Sequence, residues 1–346
     1  MKKIAYIELD THAEIVLNFM ELMNDSTAFS VDYYFSEKIL KTLDLQGIEN
    51  KIKSNHQTIF EQLQTKNYDL IIIGTVHRYF NVFEKIAEKF NTSIICHNLN
   101  FVKATNFNLL SSVFKEDFKY RLKLLLKEGL LKKSNVYQKA KNLLVLDENL
   151  TKENYSNLPL FYTKFFEKPE SETFTIVIPG AVSRKRRDYE RVLKSIQIFH
   201  FLFEIIFLGK VQGKELEMLQ DFEKNKPGNI SFKYFTEKVP QNVFDDYMQK
   251  ADILWCPIQQ ETKFFSQKEI YGITKMSGNI GDAIKYGKLA IFPENYPSKY
   301  SFIIPEIDNI EGQLYPHQKH LEYDFQENFS KEKVLKQLEK TIFALL

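Results

Sequence analysis

Short apolar runs alternate with longer amphipathic segments along most of the 346-residue chain. Strand–helix alternation favours parallel sheets with helices on both faces. The runs form two successive series, so the sequence predicts an α/β fold with two Rossmann-like domains. The expected strands are residues 4–9, 31–35, 70–73, 93–96 and 143–146 in the first series, and 174–178, 204–208, 231–234, 253–256 and 289–292 in the second. The expected helices include 13–23, 82–90, 189–199, 213–225, 241–250 and 282–286.

The break between the two series lies at about residues 155–173, which contain Asn157-Leu158-Pro159 and Lys168-Pro169 and show no clear period. We therefore predict one domain over residues 1–160 and a second over residues 170–330. The final segment, 331–346, has apolar residues at helical spacing. It either belongs to the second domain or packs back on the first.

Charge and cysteine content exclude several classes of protein. The formal net charge is only +2, which gives no argument for a nucleic-acid partner. Cys96 and Cys256 lie in apolar, strand-like runs, which is typical of buried free thiols rather than of disulfides. The N-terminus reads as a first strand and lacks the apolar core of a signal peptide, and no run is long and apolar enough to span a bilayer. We therefore expect a cytoplasmic location.

A polar, glycine-rich stretch over residues 268–282 leads into the predicted helix at 282–286. Glycine allows close approach of the backbone to a ligand, and a helix N-terminus offers free N–H groups to an anion. Lys275 adds a positive charge, and Glu269 stands just before the glycines. The stretch therefore predicts a phosphate cradle. The Walker pattern and Gly-x-Gly-x-x-Gly are both absent, which argues against a P-loop protein and a nicotinamide dehydrogenase.

A basic loop follows the first predicted strand of the second half, at Arg184-Lys185-Arg186-Arg187 after Gly180. Cations are unfavourable at a helix N-terminus, so this loop favours an anionic partner such as a diphosphate over a solvated charge run. Gly209 follows the next strand and fits either a ligand approach or a tight turn. The loop around Val239, after a further strand, is predicted to offer backbone groups to a nucleotide base.

The predicted strands of the first half end in a different set of polar residues. Asp10 and His12 follow the first strand, His77 the third, and His97 and Asn98 the fourth. Ligands of open parallel sheets bind at the carboxyl ends of strands, so these residues predict a binding cleft. Their spacing is not that of a zinc site, and we predict no metal.

Residues 118–133 form a basic, amphipathic segment with six cations. Such a helix can lie on an anionic membrane surface. It can equally be a domain helix with its apolar stripe in the core and its lysines in water.

Several motifs of the second half are shared with one family: Ile178-Pro179-Gly180, Phe207-Leu208-Gly209, Ala251-Asp252-Ile253-Leu254 with Pro257, Glu269-x-Tyr271-Gly272 and Gly287-Lys288-Leu289-Ala290. They resemble GT-B glycosyltransferases that use nucleotide-sugar donors and often build bacterial surface polysaccharides. The first half is similar only in its alternating rhythm. The resemblance implies two Rossmann-like domains facing each other across a cleft. The second would bind the nucleotide-diphosphate sugar, and the first a glycan or lipid-linked glycan acceptor.

The resemblance also implies roles for individual residues. The basic loop and Lys275 would approach the donor diphosphate, and Glu269 would lie near the donor sugar. The family's second carboxylate is replaced here by Ser277, and Asp282 would take its place at the ribose. The implied catalytic residues are Glu269, Lys275, Arg186 and His12. The implied donor-binding residues are Gly180, Arg184, Arg187, Gly209, Val239, Gly272, Ser277, Gly278, Asn279 and Asp282, and the implied acceptor-binding residues are Asp10, His77, His97 and Asn98.

Fixed cations and helix dipoles can stabilise a departing diphosphate, so the resemblance implies a transferase that needs no metal or other cofactor. An inverting enzyme needs a base at the acceptor, for which His12, Asp10 and His97 are candidates. The Glu269 region favours a retaining enzyme. Two alternatives stay open: a GT-B epimerase acting on UDP-N-acetylglucosamine, and a degenerate GT-B subunit that binds a partner glycosyltransferase.

Overall fold

The computed structural model describes residues 1–43, 50–152, 154–165, 169, 173–314 and 323–346. Its first sheet has seven parallel strands in the order β3-β2-β1-β4-β5-β6-β7. These strands are β1 (Lys2–Glu8), β2 (Phe29–Phe35), β3 (Lys51–Lys53), β4 (Leu70–Ile73), β5 (Thr92–Ile95), β6 (Asn142–Val145) and β7 (Ser156–Asn157). Residues 166–168 and 170–172 of the predicted domain boundary lie outside the described residues.

Helices cover both faces of this first sheet and bury two separate apolar clusters against it. They are α1 (Ala13–Met23), α2 (Glu37–Leu43), α3 (Ile59–Gln64), α4 (Phe80–Lys89), α5 (Leu99–Lys103), α6 (Asn106–Val113), α7 (Phe118–Lys127) and α8 (Lys133–Lys139). Two 3₁₀ turns, Leu130–Lys132 and Glu148–Leu150, complete the connections. All four residues of β4 are buried, as expected of a strand with helices on both sides.

The second sheet has six parallel strands in the order β10-β9-β8-β11-β14-β15. They are β8 (Phe174–Pro179), β9 (Phe203–Lys210), β10 (Ile230–Phe235), β11 (Ile253–Trp255), β14 (Ala290–Phe292) and β15 (Ile303–Pro305). The helices are α9 (Tyr189–Ile196), α10 (Lys214–Asn225), α11 (Gln241–Lys250) and α12 (Gly278–Tyr286), and residues 310–314 are also helical. The two sheets confirm the predicted α/β fold with two Rossmann-like domains.

The last helix, Lys331–Leu345, follows a short helix at Phe325–Phe329 and packs against the first sheet. Val334, Leu338 and Ile342 recur every fourth residue and are buried in the cluster that contains Ile4 and Tyr6 of β1. The chain thus returns to its first sheet after completing the second. None of the helices in the described residues is both long enough and apolar enough to cross a membrane.

A hairpin formed by β12 (Glu261–Phe264) and β13 (Gln267–Ile270) reaches from the second half of the chain into the first. Phe264 and Phe265 pack in the first half, with Phe265 5.1 Å from the ring of Phe101. The buried Glu269 carboxylate accepts hydrogen bonds from the N–H groups of Asn100 (3.2 Å) and Phe101 (2.8 Å) in the first turn of α5. The hairpin therefore joins the two halves through a charged cap and an aromatic contact.

Three local expectations from the sequence were wrong. No strand was expected between residues 256 and 289, but residues 261–264 form β12, because Phe264 and Phe265 pack in the first half. The helix expected at residue 282 begins at Gly278, where the Ser277 side chain provides the N-cap. Residues 118–133 are not one helix, because Gly129 adopts a positive φ of 73° and ends α7 before the 3₁₀ turn.

We predict that Glu269→Gln destabilises the protein, because the amide cannot replace a carboxylate that accepts two backbone N–H bonds in a buried position. The expected loss in the free energy of unfolding is about 1–3 kcal/mol, measured by urea denaturation at neutral pH. Glu261→Gln is the matched control on the same hairpin, since Glu261 is exposed and pairs only with Lys268 among the described residues. Equal losses in the two variants would contradict a joining role for Glu269.

Candidate functional site

The loop after β8 turns sharply at Gly180, which has a φ of +96°. Arg187 lies under this loop and donates to the carbonyl oxygens of Pro179 (2.6 Å) and Ala181 (2.9 Å). A Cβ at Gly180 would stand only 2.7 Å from the Arg187 guanidinium. Gly180 and Arg187 therefore shape the loop together, and Arg187 is committed to backbone carbonyls.

Helix α12 points its N-terminus at the same loop. Ser277 is its N-cap, and the hydroxyl accepts from the N–H of Asn279 (3.3 Å). The Asn279 side chain links the two elements, because it accepts from Arg187 (3.3 Å) and donates to Asp282 (3.2 Å). The first-turn N–H groups and the helix dipole favour an anion at this end of α12.

A cavity of about 530 Å³ lies between the β8 loop and the N-terminus of α12. A Cβ at Gly278 would meet no other atom within 4 Å, so this helix end is open. Arg186 is exposed, and its side chain makes no hydrogen bond or ion pair with the described part of the chain. The cavity is lined by Gly180, Ala181, Ser183, Lys185, Arg186, Arg187, Ile258, Tyr271, Ser277, Gly278, Asn279 and Asp282. Cations and a helix dipole thus converge on one place, which we call the anion cavity.

Among the described residues that line the anion cavity, Asp282 is the only carboxylate. Burial raises its pKa to about 6, against the lowering effect of the hydrogen bond from Asn279 and of nearby cations. The side chain is therefore ionised at neutral pH and offers an acceptor to a hydroxyl group.

A second cavity of about 970 Å³ lies between the two halves of the chain, and we call it the cleft. His12, Glu14 and His97 line it from the first half, whereas Lys275 and Asp282 line it from the second. Gly278 and Asp282 also belong to the anion cavity, so the two cavities adjoin.

Lys275 reaches from the second half to the first, where its ammonium donates to Asn98 Oδ1 (2.6 Å). Burial lowers the pKa of Lys275 to about 8; Glu269 opposes this lowering and the charge of Arg186 adds to it. Asn98 is itself buried and occupies the N-cap position of α5, where its side chain makes no capping bond. Lys275 is therefore an ammonium group at the border of the cleft that loses its proton near pH 8.

The three histidines predicted to share one sheet edge do lie together. The rings of His12 and His97 are stacked at 3.9 Å, and His77 lies 5.9 Å from His97. Burial lowers the pKa of His77 to about 3 and that of His97 well below its usual value, so both are neutral at pH 7. His97 Nε2 contacts the carbonyl oxygen of Gly74 at 2.8 Å, which assigns the proton to that nitrogen.

His12 occupies a left-handed backbone conformation (φ 61°) at the start of α1, which is uncommon for a residue other than glycine. Its Nδ1 lies 3.0 Å from Glu14 Oε1, so the ring donates that proton to the carboxylate. In the neutral ring the lone pair is then on Nε2. Sequence reasoning missed Glu14; its signal is a carboxylate two residues after the histidine, in the first turn of a helix.

A carboxylate at the end of the first strand, Glu8, fixes the loop that carries His12. It is buried at the end of β1 and accepts from Asp10 N–H (3.0 Å), Thr11 N–H (3.2 Å) and the Thr75 hydroxyl (2.7 Å). Burial raises its pKa to about 7. These hydrogen bonds to Glu8 fix the loop that follows β1.

Four of the predicted donor-binding residues lie outside the lining of the anion cavity. Arg184 donates to Glu190 (2.8 Å), away from the cavity. Gly209 lies within β9, and a Cβ there would overlap the carbonyl oxygen of Gly180, so it serves the loop rather than a ligand. Gly272 forms a turn at φ +78° against Pro297, and Val239 packs against the core of the second half.

The remaining predicted residues make contacts with other protein groups. Glu269 caps α5 with both oxygens, so its predicted catalytic role stays a prediction without a described contact to either cavity. His77 packs against Phe264 at 4.4 Å, and Asn98 holds Lys275. Asp10 lies 3.9 Å from Arg78 and 3.5 Å from Lys38. Among the described residues, no group of three or more His, Cys, Asp or Glu side chains is placed to hold a metal ion.

The charge of Lys275 gives the anion site a pH dependence. Lys275 is protonated below its pKa of about 8 and loses its charge above it. We therefore predict that the affinity for a nucleoside diphosphate is highest near neutral pH and falls by up to about tenfold per pH unit above the pKa of Lys275. Titration of UDP by calorimetry across this range measures the effect. Lys275→Arg should bind without the decline, since arginine stays charged, and an identical decline in that variant would contradict the assignment.

No family model and no curated protein matches the chain. Solved structures with a similar fold include the lipopolysaccharide outer core galactosyltransferase WaaB in its apo form (TM-score 0.58, 13% identity, covering 99% of this chain and 100% of that one). They also include the UDP-GlcNAc 2-epimerases of Methanocaldococcus jannaschii (TM-score 0.53, 10% identity, 99% of both chains) and of Neisseria meningitidis bound to UDP-GlcNAc (TM-score 0.56, 10% identity, 99% and 100%). This likeness, with two Rossmann-like domains on either side of a cleft, shows that the chain has the GT-B fold.

Proposed function

We propose that the chain is a glycosyltransferase that moves a sugar from a nucleotide-diphosphate sugar to a glycan or lipid-linked glycan, without a metal. The observation that carries the proposal is the anion cavity, where the α12 N-terminus and the basic loop meet at the border of the cleft. A protein surface that gathers unpaired positive charge in this way favours an anionic ligand. We further propose a cytoplasmic location, where nucleotide sugars are made.

The leaving group of such a transfer is a diphosphate that gains negative charge as the glycosidic bond breaks. Fixed donors stabilise this charge without reorganising, provided that they are in place before reaction. In our proposal the N–H group of Gly278 and the Arg186 guanidinium bind the phosphates, and Lys275 approaches from the cleft. Asp282 accepts from the ribose hydroxyls.

The acceptor hydroxyl needs a base if the sugar is transferred with inversion. His12 has the features of such a base, because Glu14 holds its Nδ1 proton and leaves Nε2 as acceptor at the cleft. Retention was expected from the Glu269 region, but that carboxylate is engaged by α5. We therefore propose an inverting transfer with His12 as the general base.

Nucleotide binding tests the donor half of the proposal. A thermal-shift screen with UDP, GDP, ADP and CMP should show stabilisation by at least one nucleotide. Arg186→Ala should lower the affinity for that nucleotide roughly tenfold to a hundredfold, the usual range for a lost charge-assisted hydrogen bond. Arg184→Ala is the matched control in the same loop, since its side chain pairs with Glu190 and should leave the affinity unchanged.

No stabilisation by any of the four nucleotides would contradict the proposed function. Equal losses in Arg184→Ala and Arg186→Ala would show only a general charge effect, and would reject the assignment of the phosphate to the anion cavity.

Turnover tests the acceptor half. We predict that His12→Asn lowers kcat by about 10²–10⁴-fold, the range for loss of a general base, while nucleotide-induced stabilisation persists. Glu14→Gln should lower kcat less, because it only releases the orientation of His12. The assay follows sugar transfer from a labelled donor to glycolipid acceptors, with the anomeric configuration of the product read by NMR. An unchanged kcat in His12→Asn, with a retained configuration, would reject His12 as the base.

A second candidate is epimerisation of a nucleotide sugar, favoured by the fold shared with the two UDP-GlcNAc 2-epimerases. An epimerase consumes its donor without an acceptor, so incubation with UDP-GlcNAc alone separates the two activities. A degenerate subunit that binds a partner glycosyltransferase is the third candidate. Nucleotide binding without turnover of any donor, even with glycolipid acceptors, would favour that subunit.

A further inference from the structure

Helices α6 and α7 and the turn after them expose an unusual amount of apolar surface. Of the fourteen large apolar side chains that are exposed in the described residues, seven lie between residues 107 and 131. Phe107 is 79% exposed, Leu126 73% and Phe114 71%. The other four are Leu110, Phe118, Tyr120 and Leu131. Single exposed apolar residues are ordinary, but a contiguous group of them marks an interaction surface.

The inner side of the same helices is anchored, so the exposed side chains are not simply failing to reach a core. Arg121 is buried and donates to the Ser112 carbonyl oxygen (2.6 Å) and to the Ser266 hydroxyl at the hairpin turn (2.7 Å). Lys133 is fully buried and donates to three carbonyl oxygens of residues 101–104. Arg121 and Lys133 therefore bond within the protein. Of the six cations in residues 118–133, these two are not exposed to a partner.

Exposed lysines stand among the apolar side chains. Lys115, Lys119 and Lys127 are exposed and form no ion pair with any described residue. Lys123 is half exposed and lies 3.8 Å from Glu128. We call this surface, with its seven apolar side chains and four lysines, the docking face. Interleaved aromatic and basic side chains match the boundary of an anionic bilayer, where rings enter the headgroup region and lysines meet lipid phosphates.

We propose that the docking face binds the surface of an anionic lipid bilayer. The charge of the face selects this occupant over a second copy of the chain. The four lysines outnumber the exposed carboxylates of the same segment, which are Asp117 and Glu116, the latter paired with Arg121 (3.2 Å). A symmetric dimer through this face would therefore bring a net positive charge against itself. An acidic bilayer neutralises the lysines and removes the apolar side chains from water in one step.

The docking face adjoins the edge of the first sheet that carries the proposed base. Arg78 donates to Glu128 at the end of α7 (2.6 Å), lies over the Tyr120 ring at 6.0 Å and stands 3.9 Å from Asp10. A protein seated on this face would hold its acceptor edge beside the membrane. We infer that the acceptor is lipid-linked; this extension rests on the proposed function, whereas bilayer binding does not.

Sedimentation with vesicles tests the proposal on the full chain. The protein should bind vesicles of equal parts phosphatidylglycerol and phosphatidylcholine, and bind phosphatidylcholine alone far more weakly. Lys119→Gln with Lys127→Gln should weaken binding to the anionic vesicles roughly tenfold or more, since each lysine near an anionic surface contributes about a factor of five. Phe114→Ser with Phe118→Ser should weaken binding to a similar degree.

Matched controls lie on the second half of the chain. Ile198 (67% exposed) and Leu202 (65%) are exposed apolar residues, and Lys194 and Lys224 are exposed lysines. Their serine and glutamine variants should bind vesicles as the parent does. The midpoint of thermal unfolding without any ligand should be the same in every variant as in the parent. This control shows that the variants fold and does not depend on the proposed function.

Three outcomes would overturn the proposal. The parent protein does not bind anionic vesicles, or the docking-face variants bind like the parent, or the parent forms a concentration-dependent dimer that Phe114→Ser with Phe118→Ser abolishes. The last result would make a second copy of the chain the occupant. If vesicle binding is found but soluble and lipid-linked acceptors are used equally well, only the inference about the acceptor fails.

Discussion

The carboxylate of Glu269 at the N-terminus of α5 is the contact on which the site depends. It is a buried charge that two backbone N–H groups satisfy, and it belongs to a hairpin from the other half of the chain. A buried carboxylate without such partners costs several kcal/mol, so the hairpin can stay in this position only if α5 is there to receive it. The segment that follows the hairpin places Lys275 beside Asn98 and provides Ser277, the N-cap of α12.

The positive charge of the anion cavity comes from side chains without a partner among the described residues. Its shape comes from side chains that are hydrogen-bonded within the protein. Arg187 donates hydrogen bonds to Pro179, Ala181 and Asn279, which fixes the loop against α12. Arg186, one residue earlier, is exposed and unpaired within the described residues. The two adjacent arginines therefore have different roles, because Arg187 packs against the backbone at Gly180 whereas Arg186 is exposed.

Much of the fold was accessible from periodicity, since α1 and α11 begin and end at the residues that the sequence predicts. The convergence of His12, His77 and His97 followed from the rule that parallel strands share their carboxyl edge. The hairpin was not accessible, because Phe264 and Phe265 find their partners in residues more than a hundred positions earlier. The same reason hid the roles of Glu269 and Arg121, whose partners are far away in sequence. The role of Gly209 could not be predicted, because a glycine indicates close approach of another group but does not show whether that group is a ligand or the protein backbone.

A crystal structure of the chain with a nucleoside diphosphate tests the central claim most directly. We expect the phosphates to lie at the N-terminus of α12, within hydrogen-bonding distance of the Gly278 N–H and the Arg186 guanidinium, with the ribose beside Asp282. A nucleotide bound elsewhere, with the anion cavity holding only solvent, would contradict the account.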